Sequence, residues 1–262
     1  MTAAPSDAVG DTGRASVLDR ASALLTAFAL EDTWIGPSEL GRRAGLPKPT
    51  AYRLALQLTR HGLLEHHEGM FRLGVRLFEL GHLVARENVI RECAVPIMTR
   101  LRDTTGHSVH LAELSDRDVL YLAIMHGPAG PALPSRVGGR MPAHATALGK
   151  ALLAHATADV RMRALSGPLE RLTSHTIRHG GALRTALAAV AARGSATDLE
   201  ECRPGLACAA APVLANDGTA VAALSVSGRS TRFDVAHAET AVRAAAAALT
   251  RRLYPRCPSS AL

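Results

Sequence analysis

The stretch GLPKPTAYRLALQLTRHGLLEHHEGMFRLG, Gly45 to Gly74, decides how the first part of this chain is read. Gly45 breaks the segment before it. Pro47 and Pro49 stand where a helix opens, because a proline in the first turn gives up an N–H that would have had no partner. Ala51, Leu54, Ala55 and Leu58 then recur on one helical face, and Gly62 stops the run. LLEHHEGMFRLG follows as two short strands around His67-Glu68-Gly69, a hairpin with glycine at its turn.

Working outward, Val17 to Leu30 carries Val17, Leu18, Ala21, Leu24, Leu25 and Phe28 at helical spacing, with Ser16 as N-cap. Pro37-Ser38-Glu39-Leu40 opens a second short helix through Ala44, and Gly45 serves as its C′ residue. Three helices with a short break before the third, then a hairpin, make a winged helix-turn-helix. From Val75 to about Glu92 a helical pattern without a turn signal predicts a connecting helix.

Charge is placed unevenly. Five basic residues (Arg42, Arg43, Lys48, Arg53, Arg60) and no acidic one lie between Arg42 and Arg60. In a groove-reading helix the exposed N-terminal side chains meet base edges and flanking basic groups meet phosphates. The candidates are Lys48, Thr50, Tyr52, Arg53 and Gln57, with Arg42, Arg43 and, on the second wing strand, Arg72 beside them. Arginine bonds guanine through two N–H groups, and glutamine does the same to adenine. The net charge of +7 over 262 residues is weaker support, since only Lys48 and Lys150 among thirty basic residues are lysine.

With 47% hydrophobic residues and 3% aromatics, alanine, valine and leucine must fill the core. Four cysteines (Cys93, Cys202, Cys208, Cys257) form no C-x-x-C pair, which fits a reduced cytoplasmic setting. Residues 1–15 are small and polar, are expected to be a disordered tail, and contain no secretory h-region. No apolar run approaches the roughly 20 residues that span a membrane.

Beyond about Pro96 the pattern becomes α+β. HSVHLAEL and DVLYLAIM flank the turn Ser115-Asp116-Arg117. PAHATALGKALLAHA, starting near His144, and GALRTALAAVAARG, closed by Gly194, read as helices. CAAAPVLANDGTAVAALSVSG reads as two strands around Asn216-Asp217-Gly218, and a helix from Asp234 ends the chain. Alternation puts Val221, Ala223, Ser225 and Ser227 on one strand face and Ala222, Leu224 and Val226 on the other. Paired hydroxyls near a helix start with free N–H groups predict a pocket for a small carboxylate or similar metabolite.

The residues also carry a resemblance. SVLDRASALLTAF, SELGRRAGLPKPTAYRLALQLTRHGLLE and FRLG, with the later SRVGGRMPAHATALGKALLA, LTSHTI and DLEECRPGLACAAAPVLANDGTAVAALSVSG, resemble the IclR family of bacterial transcription regulators from about Ser16 to Leu253. Pro49 stands where that family often has serine. The resemblance implies a GAF-like effector domain whose pocket involves Ala147, Leu148, Asp198, Cys208, Ser225 and Ser227. Ala147 and Leu148 are bulkier than the Gly-Ala pair of some members and narrow the mouth. It also implies homodimers or homotetramers.

Two other readings compete. Cys208, His144 and Asp198 could form a cysteine hydrolase, although a cysteine between strand residues is poorly placed for a lowered pKa. A GAF-type sensor could instead bind a protein partner, for which a wing is unnecessary. The histidine pairs His107/His110 and His66/His67 lack further ligands at metal spacing. The expectation is therefore a tail (1–15), a winged helix-turn-helix domain (16–78), a linker helix (79–95) and an effector domain (96–262). Such a chain would be a non-catalytic regulator, without cofactor or metal, of double-stranded DNA at a pseudo-palindromic operator. Its effector would be an organic acid or aromatic metabolite.

Overall fold

The first helix, α1 (Val17–Thr26), opens on a capping box: Ser16 Oγ accepts from the Asp19 N–H, and Asp19 accepts from the Ser16 N–H. The computed structural model describes residues 16–29, 31–128 and 135–255. The expected tail, 1–15, lies outside them. The described chain forms two compact units that divide between Ala85 and Arg86.

In the first unit, α2 (Pro37–Arg43) and α3 (Lys48–Arg60) flank a tight turn. Gly45 takes φ +66° there, a left-handed conformation that costs glycine nothing. Leu24, Leu40, Leu54, Leu58 and Phe71 close one core. The hairpin β1 (Leu64–His67) and β2 (Met70–Leu73) turns at Glu68-Gly69, both with positive φ. Ile35 adds a bridge to Phe71, exchanging two backbone hydrogen bonds of 2.9 Å. The wing is thereby pinned at its base.

The helix expected from Val75 to Glu92 is two helices. α4 (Val75–His82) ends at Leu83, whose N–H turns back to Leu80, and α5 (Ala85–Thr105) begins after Val84. Apolar periodicity continues across this break, but α4 has no buried residue, so no packing holds one straight rod. α5 also runs through Pro96, past the position where the sequence reading starts the effector domain. Ile97, Met98 and Leu101 beyond the proline are buried against the sheet and hold the helix together.

The second unit is built on an antiparallel sheet in the order β5-β4-β3-β8-β7-β6. Its strands are β3 (Ser108–Ser115), β4 (Asp118–Met125), β5 (Arg140–Pro142), β6 (Ala196–Leu199), β7 (Leu206–Leu214) and β8 (Ala220–Arg229). Period-two alternation sorts its two faces. Ala207, Ala209, Ala222, Leu224 and Val226 pack toward α5 and the last helix, α9 (Val235–Leu253). Cys208, Ala210 and Ala223 face α6 (Ala147–Ala154) and α8 (Gly180–Arg193). Between these two, α7 (Ala158–Leu165) was not legible in the sequence pattern.

Val221 departs from the expected alternation and packs with the α9 side. A bulge between Val213 and Leu214 shifts the register, so Leu214 pairs with Ala220 and Val221 has no opposite partner. No described helix is long and apolar enough to cross a membrane.

Candidate functional site

The outer face of α3 follows from its inner one. Ala51, Leu54, Ala55 and Leu58 are buried, which leaves Lys48, Tyr52, Arg53, Gln57 and Arg60 exposed. Thr50 is half-buried at the helix start. Lys48, Arg53 and Arg60 make no ion pair among the described residues, whereas the neighbouring arginines are engaged. Three cations without an ion pair among the described residues, and an amide, therefore project from the exposed side of α3.

Three other predicted contacts already have partners. The Arg43 guanidinium donates to Glu39 (2.7 Å), to Asp32 (2.5 and 3.3 Å) and to the Ala27 carbonyl (3.2 Å). It ties α2 to the turn after α1 and commits four of its five N–H groups there. Arg42 pairs with Glu39 at 2.7 Å, and the two arginines hold the Glu39 carboxyl down to about 2. Arg72 bonds Glu65 across the hairpin at 2.8 Å and lies 4.7 Å above the Trp34 ring. Tyr52 packs its ring edge on Phe71 and His66, at 5.8 and 6.3 Å, buttressing the wing against α3. Trp34, absent from the sequence candidates, joins this cluster through His67 at 6.0 Å.

In the second unit a small cavity lies between the sheet and α6. Of the expected residues, Ala147, Leu148, Asp198, Cys208 and Ser227 line it. Ser225 does not: it is buried beside the cavity, with its hydroxyl 3.5 Å from His110 Nδ1. Both serines share the face that alternation predicts, but His110, opposite Ser225 on β3, covers it. His110, Tyr121 and Cys202 also belong to the wall and were not among the predicted contacts. They arrive from β3, β4 and the loop after β6, so only the pairing register brings them together.

α6 begins at Ala147, not near His144. Ala143–Ala145 is a 3-10 turn, and Thr146 is the N-cap, accepting from the Gly149 N–H at 3.0 Å. A Cβ at position 149 would strike the Ala143 backbone, so glycine permits this close approach. The motif lysine, Lys150, is buried and ion-paired with Glu201. Thr173 and Thr176 of LTSHTI donate to the carbonyls of Glu200 and Glu201, at 2.7 and 2.6 Å, and fix the loop that carries Cys202.

Burial governs the protonation of the wall. It pushes His110 down to about 4, keeping the imidazole neutral, and raises the Cys208, Cys202 and Tyr121 groups above their ordinary values. Asp198 is raised by burial against the opposing hydrogen bonds of Cys202 and Glu201. Cys208, buried and accepting from Ser227 Oγ at 3.0 Å, is a protonated thiol. His144 bonds the Glu170 carbonyl at 2.9 Å and does not line the cavity, so the three-residue hydrolase arrangement is not assembled. Among the described residues no group of three histidine, cysteine or acidic side chains could hold a metal.

Comparison with known proteins covers both units. Residues 17–68 match the IclR helix-turn-helix domain, and residues 82–251 match the bacterial transcriptional regulator IclR C-terminal domain. The chain is 33% identical over 246 residues to the HTH-type transcriptional regulator XynR of Escherichia coli (strain K12), covering 91% of this chain and 97% of that protein. It is 31% identical to the HTH-type transcriptional regulator KdgR of the same organism, over 90% of this chain and 96% of that one. An IclR homolog from Microbacterium hydrocarbonoxydans, crystallised with 4-hydroxybenzoate, superposes with a TM-score of 0.83 at 32% identity. That match covers 91% of this chain and 99% of the other.

Proposed function

The chain belongs to the IclR family of bacterial transcription regulators, a DNA-binding head joined to an effector-binding domain, and from that premise we propose how its residues divide the work. Lys48, Thr50, Arg53 and Gln57 read base edges and adjoining phosphates from the exposed face of α3, and Arg60 adds a phosphate contact. The observation that carries this is the contrast within one helix pair: the α2 arginines are neutralised by Glu39 and Asp32, while the α3 cations are unpaired. Arg42, Arg43, Tyr52 and Arg72 then position the head and wing, with at most glancing contact to phosphate. Residues 16–78 act as the reading head and 79–95 as the connection to the effector domain.

The cavity beside α6 holds the effector. Its mixed lining of thiols, hydroxyls, an imidazole and aliphatic side chains suits a small organic or aromatic acid. The relative that was crystallised with 4-hydroxybenzoate supports the aromatic end of that range. The protein works in the cytoplasm as a regulator, and His144, bonded to the Glu170 carbonyl, stands apart from the cavity that Cys208 lines. The exposed apolar residues of α4, Val75, Phe78 and Leu80, favour pairing of subunits, as two heads on a pseudo-palindrome require. The effector acts through its differential affinity for two placements of those heads.

The test is selection from a random duplex pool with the purified full chain. An enriched inverted repeat supports the assignment, and a pool that stays unenriched at low salt refutes it.

A further inference from the structure

Asp198 is the odd member of the cavity wall. It has no exposed surface. Its Oδ1 accepts from the backbone N–H groups of Glu201 and Cys202, at 2.7 and 3.3 Å, while its buried Oδ2 has no hydrogen-bond partner. A buried carboxylate oxygen without a donor costs free energy unless a ligand or a proton satisfies it.

The groups facing Asp198 offer no spare positive charge. Cys208 stands opposite it on β7, Cys202 and Glu201 lie in the loop after β6, Tyr121 approaches from β4 and Lys150 from α6. His110 on β3 is a further titratable group in the wall and is held neutral by burial. Lys150 is the cation within reach, and its ammonium is paired with Glu201, whose own Oε2 is buried without a partner. One ammonium thus already serves two buried carboxyls. No described residue lining the cavity carries a fixed positive charge.

We propose that the cavity takes up a monocarboxylic acid together with one proton, which sits on Asp198 Oδ2 and is donated in a hydrogen bond to the ligand's carboxylate. This rests on the reading of the cavity as the effector site. A carboxylate entering beside an ionised Asp198 would place a third acidic group against a single ammonium, and like charges that close do not both stay ionised in a low-dielectric site. The proton comes from solvent. Asp198 keeps both N–H bonds on Oδ1, and Oδ2 gains its missing partner. Burial already pushes the Asp198 carboxyl upward, in the direction that favours this uptake. A second carboxylate on the ligand would need a second proton or a buried uncompensated anion, so dicarboxylates are rejected.

Isothermal titration of the full chain tests this with benzoate, 4-hydroxybenzoate and phenylacetate as monoacids and isophthalate as diacid. Each is measured from pH 6 to 9 in two buffers of different ionisation enthalpy. The expected result is a monoacid affinity that falls by up to about tenfold per unit of pH above the Asp198 pKa, with uptake of one proton and no isophthalate binding. Asp198→Asn, whose amide donates where the carboxyl O–H would, should bind monoacids with affinity independent of pH. Monoacid binding by the wild type that neither varies with pH nor takes up a proton overturns the proposal. Tight isophthalate binding also overturns it. If no monoacid binds at any pH, the effector reading itself falls, and the proton inference with it.

Discussion

Arg53→Ala separates reading from folding. Arg53 is exposed, makes no ion pair among the described residues, and projects away from a core contact made by Ala51, Leu54, Ala55 and Leu58. Truncating it leaves that packing intact, and alanine is the better helix former, so stability should change by less than about 0.5 kcal/mol. A bidentate arginine–guanine contact is worth about 1–3 kcal/mol of discrimination. Affinity for the preferred duplex should therefore fall by roughly 5- to 150-fold at fixed salt, with an unchanged melting temperature. Fluorescence anisotropy on the preferred and a scrambled duplex, between about 50 and 200 mM salt, reads both effects.

Arg60→Ala is the internal control: it should weaken both duplexes alike and flatten the salt dependence by about one unit of slope. Arg43→Ala should instead lower the melting temperature, because its guanidinium is committed to Asp32, Glu39 and Ala27. Equal losses on both duplexes for Arg53→Ala, or none on the preferred one, would refute the assignment of Arg53 to base reading.

Other outcomes follow from the cavity. Ser227→Ala should weaken monoacid binding directly, whereas Ser225→Ala, which touches His110 and not the cavity, should leave the binding enthalpy close to wild type; calorimetry distinguishes them. His110 has its pKa depressed from 6.5 to about 4 by burial, so its neutral form is the folded form. The unfolded chain binds that proton first as pH falls. The stability from this group is complete above pH ~6.5 and is lost between there and about 4, amounting to about 3 kcal/mol. Chemical denaturation of the wild type and of His110→Gln across that window should show the steeper loss in the wild type. Parallel slopes would mean that His110 is not the titrating group.

Local signals carried the reading head. The α3 core positions, the glycine-turned wing and the Ser16 cap each depend on residues within one or two turns, and each lies where the sequence places it. What the sequence hides is what arrives from elsewhere. The ion pair of Arg43 with Asp32, eleven positions earlier, is made only by the fold and is not readable in the sequence. Arg72 is spent on Glu65 because the hairpin register sets them opposite each other.

In the cavity, alternation chose the correct face for both serines, but only the pairing of β3 with β8 shows that His110 covers Ser225. Tyr121 reaches the cavity across a register shift between Leu111 and Ala112, which no periodicity in β4 announces. The break at Leu83 follows Gly81, a poor helix former, but the apolar periodicity running on past it masks the signal.

Ligand in the cavity and DNA at α3 must be coupled within one chain. The most direct measurement is anisotropy of labelled duplexes tiled across the DNA flanking its own gene, with and without the monoacid that calorimetry identifies. The account predicts one tile bound well above the others at moderate salt, and a change of at least severalfold in that affinity when the acid is present. Uniform binding of every tile, unmoved by the acid, would contradict it.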